Sequence, residues 1–156
     1  MSQALDLDPR SVTQLFRDLF SRDVTVHRND RAAGFGQNTD LVAIYVDESG
    51  QPRAACVCPL GTAATLGAAL SLIPSSRVTE VLRAGKLDES LLENFSEVCN
   101  VMVAFLDLPA MPPLTLSEVT TGALPAGVFD DAPRAIIQVD INGYDEGVLL
   151  LTARPG

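Results

Sequence analysis

Glu97 and Asn100 stand three residues apart in SEVCNVM, residues 96–102, inside the apolar run LLENFSEVCNVMVAFLDL from Leu91 to Leu108. A carboxylate and an amide are a small but usable tool set. The carboxylate can pair with a cationic side chain and fix a docked surface in register. The amide carries both a donor and an acceptor, so it can orient a water molecule without titrating. To act together they must face the same way, and a helix makes residues three or four apart neighbours.

The run predicts such a helix from about Asp88 to Leu106, ended before Pro109. With about 100° per residue, Leu91, Leu92, Val98, Cys99, Met102 and Leu106 fall near Phe95 and form a core face. Glu93, Glu97, Asn100 and Ala104 fall on the opposite side, at i, i+4, i+7 and i+11. This stripe does little for the helix itself. Glu93 and Glu97 are like charges at i, i+4, which costs a few tenths of a kcal/mol. Asn is a poor helix former because its amide competes for backbone groups. The bland alternative is a merely solvated face, the usual meaning of a charged stripe. Glu93 also has a structural reading of its own, since Ser90-Leu91-Leu92-Glu93 fits a capping box.

The elements that must hold this helix alternate in type. Ser11 to Ser21 reads as an amphipathic helix started at Asp8-Pro9. Val24 to Arg28, Leu41 to Asp47 and Arg53 to Leu60 read as strands, giving a helix followed by a β-meander. Thr62 to Ile73 is Ala- and Leu-rich and helical, with Gly67 marking close packing against a neighbour. Ser76 to Ala84 is a short helix closed by Gly85. After the long helix, Leu114 to Thr121, Arg134 to Asn142 and Gly147 to Arg154 read as strands, the last two as a hairpin around Asn142-Gly143. The expected class is α+β, a mainly antiparallel six-stranded sheet with helices packed on one face, in one domain spanning 1–156.

Composition narrows the partners. The net charge is −9, from 20 acidic and 11 basic residues, which argues against a nucleic-acid partner, since a phosphate backbone needs a basic face. It suits a basic or cation-rimmed partner. No apolar run reaches the roughly 18 residues of a membrane span. The opening MSQALDLDPR is polar and acidic, unlike a signal peptide, and the three Cys are an odd number, so a cytoplasmic setting with reduced thiols is expected.

Other candidates are thinner. Cys56 and Cys58 share a face of their strand and point to the core. A zinc site needs four ligands, and only Cys99 and His27 could complete it, so no metal site is expected. Nothing orients His27 beside a thiol to make a nucleophile. Gly34-Phe35-Gly36 lies between strands, fails the context for dinucleotide binding, and reads as a flexible hairpin loop. Asp130-Asp131 and Asp140 with Asp145 and Glu146 lack calcium-loop spacing and read as solvated turns.

Glu97-Val98-Cys99-Asn100 followed by Ala104 resembles the signature of the CheC/CheX family of chemotaxis phosphatases, E-x-x-N on a surface helix with a small residue four positions on. The small-residue helix Thr62 to Ile73 and the flanking strands resemble the family layout too, most clearly from about Arg53 onward. A single copy is similar to the CheX type rather than the duplicated CheC type. The resemblance implies a phosphatase acting on the aspartyl phosphate of a CheY-like receiver domain, which carries its own Mg²⁺, while the chain itself needs no cofactor. It implies Glu97 and Asn100 as catalytic residues, with Glu93 and Ala104 extending the partner contact, and it brings a homodimer into view. The sequence differs from the family pattern at three places: Ala104 stands for the usual Gly, Glu93 for Asp or Ser, and Ala123 where a Pro is frequent, the nearest being Pro125. The alternative is a non-catalytic module that docks a response regulator or a flagellar switch component through the same stripe.

Overall fold

The computed structural model describes residues 5–154, so the first four residues of the polar opening and the last two of the chain lie outside it. Helix α1, Pro9–Phe20, starts where expected. The Asp8 carboxylate accepts from Arg10 N at 3.0 Å and from Ser11 Oγ at 3.1 Å. Pro9 occupies the first turn, where a missing N–H costs nothing. Val12, Phe16 and Phe20 form the buried face.

Six strands make one sheet in the order β1-β5-β6-β3-β2-β4, with β1 Val24–Arg28, β2 Leu41–Val46, β3 Pro52–Cys58, β4 Thr115–Thr121, β5 Arg134–Ile141 and β6 Gly147–Ala153. Every neighbouring pair is antiparallel. The β2–β3 and β5–β6 pairs are hairpins, and Gly143 takes φ 94° in the second turn. The expected meander is not formed. Val26 pairs with Val139, so β1 lies at the far edge beside β5, with β5, β6 and β3 between it and β2. Alternation specifies that a strand exists, and neighbours in sequence are only usually neighbours in space.

The helices are α2 Leu60–Leu70, α3 Ser76–Ala84 and α4 Glu89–Val101, and a 3-10 segment, Met102–Leu106, continues α4. Together with α1 they cover one face of the sheet, in a core that includes Tyr45, Cys56, Leu66, Phe95 and Leu151. The other face is covered by loops. Phe129 and Ala132 from the β4–β5 link, and Ala32 and Phe35 from the β1–β2 link, pack on Val42, Ile44, Ala55, Val57, Ile136 and Leu150. The Gly34-Phe35-Gly36 stretch is therefore part of a crossing over a sheet face, not a hairpin tip. That second apolar face explains why β2 is buried for five residues in a row instead of alternating.

Candidate functional site

Helix α4 is held at its start, its middle and its end. At the start, Asp88 is the N-cap and accepts from Leu91 N at 2.8 Å. The same carboxylate pairs with Arg77 of α3. The helix thus begins before Ser90, which lies inside it, and the capping box read from Ser90 and Glu93 is not used. An ionised carboxylate with an arginine beside it is the stronger cap. Its pKa is held below the ordinary value, first by the Leu91 N–H bond and then by Arg77.

In the middle, Gly67 of α2 lets the two backbones meet. A Cβ there would lie 2.9 Å from the Leu91 carbonyl oxygen, so the close packing expected at Gly67 is present. Asn94 locks the contact, its Nδ2 donating to Gly67 O at 3.0 Å and Ser71 Oγ at 2.9 Å. At the end, the hydroxyl of Tyr45, fully buried on β2, donates to Cys99 O at 2.5 Å. The winding then tightens from Met102 on. An uninterrupted α-helix would direct the Cys99 carbonyl to Val103 N–H, and 3-10 turns are frequent where a helix runs out. The single helix expected to reach Leu106 is therefore α-helical only to Val101, and the straight stripe ends at Asn100.

Leu91, Phe95, Val98 and Cys99 are buried and Glu93, Glu97 and Asn100 are exposed, but Leu92, expected on the core face, is 38% exposed at its margin. Glu97 and Asn100 are three residues apart on α4, so their Cβ atoms lie about 5–6 Å apart. Among the described residues, neither these two nor Glu93 makes a side-chain hydrogen bond or ion pair within the chain. Ala104 is also exposed, but it belongs to the 3-10 segment and borders two hollows instead of extending the α4 stripe. The arrangement offers one carboxylate and one amide, preset on a rigid helix and open to an approaching surface.

The other candidates are placed differently. Cys56, Cys58 and Cys99 are buried in the helix-side core. Burial pushes the Cys56 thiol up to about 12. Cys58 and Cys99 are raised well above the ordinary value, first by burial and then by neighbouring thiols. Thiols in that state are poor nucleophiles. His27 is exposed on edge strand β1, away from them. Among the described residues no cluster of three or more His, Cys, Asp and Glu could hold a metal ion. The loop is pinned at Gly36 by Asp40, whose Oδ2 accepts from Gly36 N at 2.8 Å and Gln37 N at 3.2 Å. Asp130 accepts from Gly127 N at 3.2 Å in a turn, and Asp140, Asp145 and Glu146 are exposed. Sequence reasoning did not identify Tyr45 and Asn94 as residues that position α4. Asn94 carried a signal, an amide between Leu91 and Phe95 in the apolar run; Tyr45 carried none.

No protein-family model matches the chain, and no curated protein matches it. Solved structures do. A chain in the crystal structure of the FliM-SpeE complex from H. pylori aligns with TM-score 0.67 at 8% identity, over 94% of this chain and 81% of that one. FliY from Thermotoga maritima aligns with TM-score 0.57 at 14% identity, over 92% of this chain and 82% of that one. A chain of the CheX-CheY-BeF3-Mg complex from Borrelia burgdorferi aligns over 95% of this chain and 98% of that one at 10% identity, with TM-score 0.45. The first two carry the fold. Among the described residues no helix is long and apolar enough to cross a membrane. An open antiparallel sheet of six strands with its helices on one face, aligned with FliM and FliY, gives this chain the CheC/CheX/FliM fold that its E-x-x-N stripe resembles.

Proposed function

We propose that the chain is a phosphatase for the aspartyl phosphate of a response-regulator receiver domain, CheY-like in kind, with Glu97 and Asn100 as its working pair in a cytoplasmic signalling pathway. One observation carries this reading above the others. Glu97 and Asn100 are exposed on one surface of a helix fastened at three points, and neither side chain is used by the chain itself among the described residues.

The chemistry follows from the residue types. A water molecule attacks phosphorus in line, the bond from phosphorus to the aspartyl oxygen breaks, and inorganic phosphate leaves an aspartate behind. Such a reaction is governed by positioning and charge shielding. The Asn100 amide accepts a hydrogen bond from the attacking water and donates to a phosphoryl oxygen, without changing its own charge. Glu97 pairs with a lysine of the receiver and sets the register of the helix. The receiver brings the Mg²⁺ that shields the phosphoryl oxygens. Glu93 and Ala104 meet the partner on either side of the pair.

A second reading, docking without hydrolysis, is favoured by one observation. The α4 winding changes before Ala104, so the small residue does not sit where a continuous helix would put it. Turnover separates the two. Receiver domains labelled on aspartate should lose phosphate faster with the wild type and at the intrinsic rate with Asn100→Ala. Equal binding with no acceleration by the wild type would leave the docking module and end the phosphatase reading.

A further inference from the structure

We propose that a hollow beside Ala104 receives a long basic side chain, lysine or arginine, from the same receiver domain; this rests on the receiver reading above. The hollow has a volume of about 330 Å³ and opens between the segment leading into α1 and the 3-10 turn. Leu7, Leu15 and Phe105 supply apolar wall, Ala104 one side, and Asp6 and Asp107 carboxylates, and among the described residues none that lines it is basic. Asp8 also borders it, but its carboxylate is engaged by Arg10 N and Ser11 Oγ. Asp6 and Asp107 are exposed and, among the described residues, make no side-chain hydrogen bond or ion pair.

An apolar wall beside carboxylates with no cation fits a side chain that is apolar along its stem and charged at its tip. It does not fit an anion, which the carboxylates would repel. The position ties the hollow to α4. Ala104 follows Asn100 by four residues, about 6–8 Å along the axis, so a domain seated on Glu97 and Asn100 spans both places. Ala104 also leaves the approach open, where a larger side chain would fill it. The acidic balance of the chain, net −9, supports the same sign of partner.

Calorimetric titration of purified receiver domains, held in the acyl-phosphate form with beryllofluoride and Mg²⁺, tests this. The variants are Asp6→Asn with Asp107→Asn, and Ala104→Arg, which fills the hollow from within. The receiver that binds wild type should bind the double variant about tenfold more weakly, with a flatter dependence on salt, and Ala104→Arg more weakly still. Thermal melts of both variants should match wild type, because all three positions are exposed. Charge exchange makes the contact specific: Asp107→Lys should lose binding and regain it with a Lys→Glu or Arg→Glu receiver. Wild-type affinity and salt dependence in the double variant would overturn the proposal and leave the receiver reading standing. A wild type that binds no receiver would overturn both.

Discussion

Helices α2 and α4 lie against each other, yet they are built for different ends. In α2, nine of eleven residues are buried, and its apolar character runs all the way round. It sits between the sheet and its neighbours, and its Gly67 lets α4 come close. In α4, four of thirteen residues are buried. Its outward face carries two like-charged glutamates and an asparagine whose side chains make no hydrogen bond or ion pair among the described residues. A helix buried all round can only pack, whereas a firmly anchored helix with unused polar groups on its open side can work on something else.

The contrast can be broken most sharply through α4's inner face. Phe95→Ala removes a fully buried ring at the α4 core and should cost about 3–5 kcal/mol in urea unfolding. Gly67→Val comes next. Its Cβ would meet the Leu91 carbonyl at 2.9 Å, so α2 and α4 must separate, at a cost of about 2–3 kcal/mol. Any turnover should fall with it, although Gly67 lies on α2, away from the exposed pair.

Asp88→Ala should cost about 1 kcal/mol by removing the N-cap. Its pH dependence has a definite sign. The folded pKa is lowered, so the carboxylate stabilises above its unfolded value of about 3.9 and loses this contribution as pH falls through the folded value. Asp88→Asn should therefore show a shallower loss of stability than wild type below about pH 4. With the side chain 38% exposed, solvent screening keeps that difference small. The smallest stability effect belongs to the outer face: Glu97→Ala should shift unfolding by less than about 0.5 kcal/mol, as surface changes do.

Much of this was legible in the residues. Period and β-branched content located all six strands, and Gly85, Pro9 and Asp8 marked helix ends that the structure keeps. The exposed stripe Glu93, Glu97, Asn100 followed from angular arithmetic alone. What was hidden is non-local. No pattern in Val24–Arg28 states that its partner lies more than a hundred residues away at Arg134–Ile141. Asp88 competed with Ser90 for the same cap, and an arginine on another helix tipped the balance. The tightening at Met102 follows a hydrogen bond from Tyr45, a residue on β2, so the apolar period ran straight through it. The hollow beside Ala104 is made by segments from opposite parts of the chain and has no local signature.

On the proposed reading, Glu97 and Asn100 serve a partner and not the fold. The most direct measurement pairs stability with turnover in one variant, Asn100→Ala. The melting temperature should be unchanged or slightly raised, since alanine is the better helix former, and accelerated dephosphorylation of the receiver should be lost. A melting temperature that falls along with turnover would make Asn100 a structural residue. Turnover that survives the substitution would remove the amide from the chemistry.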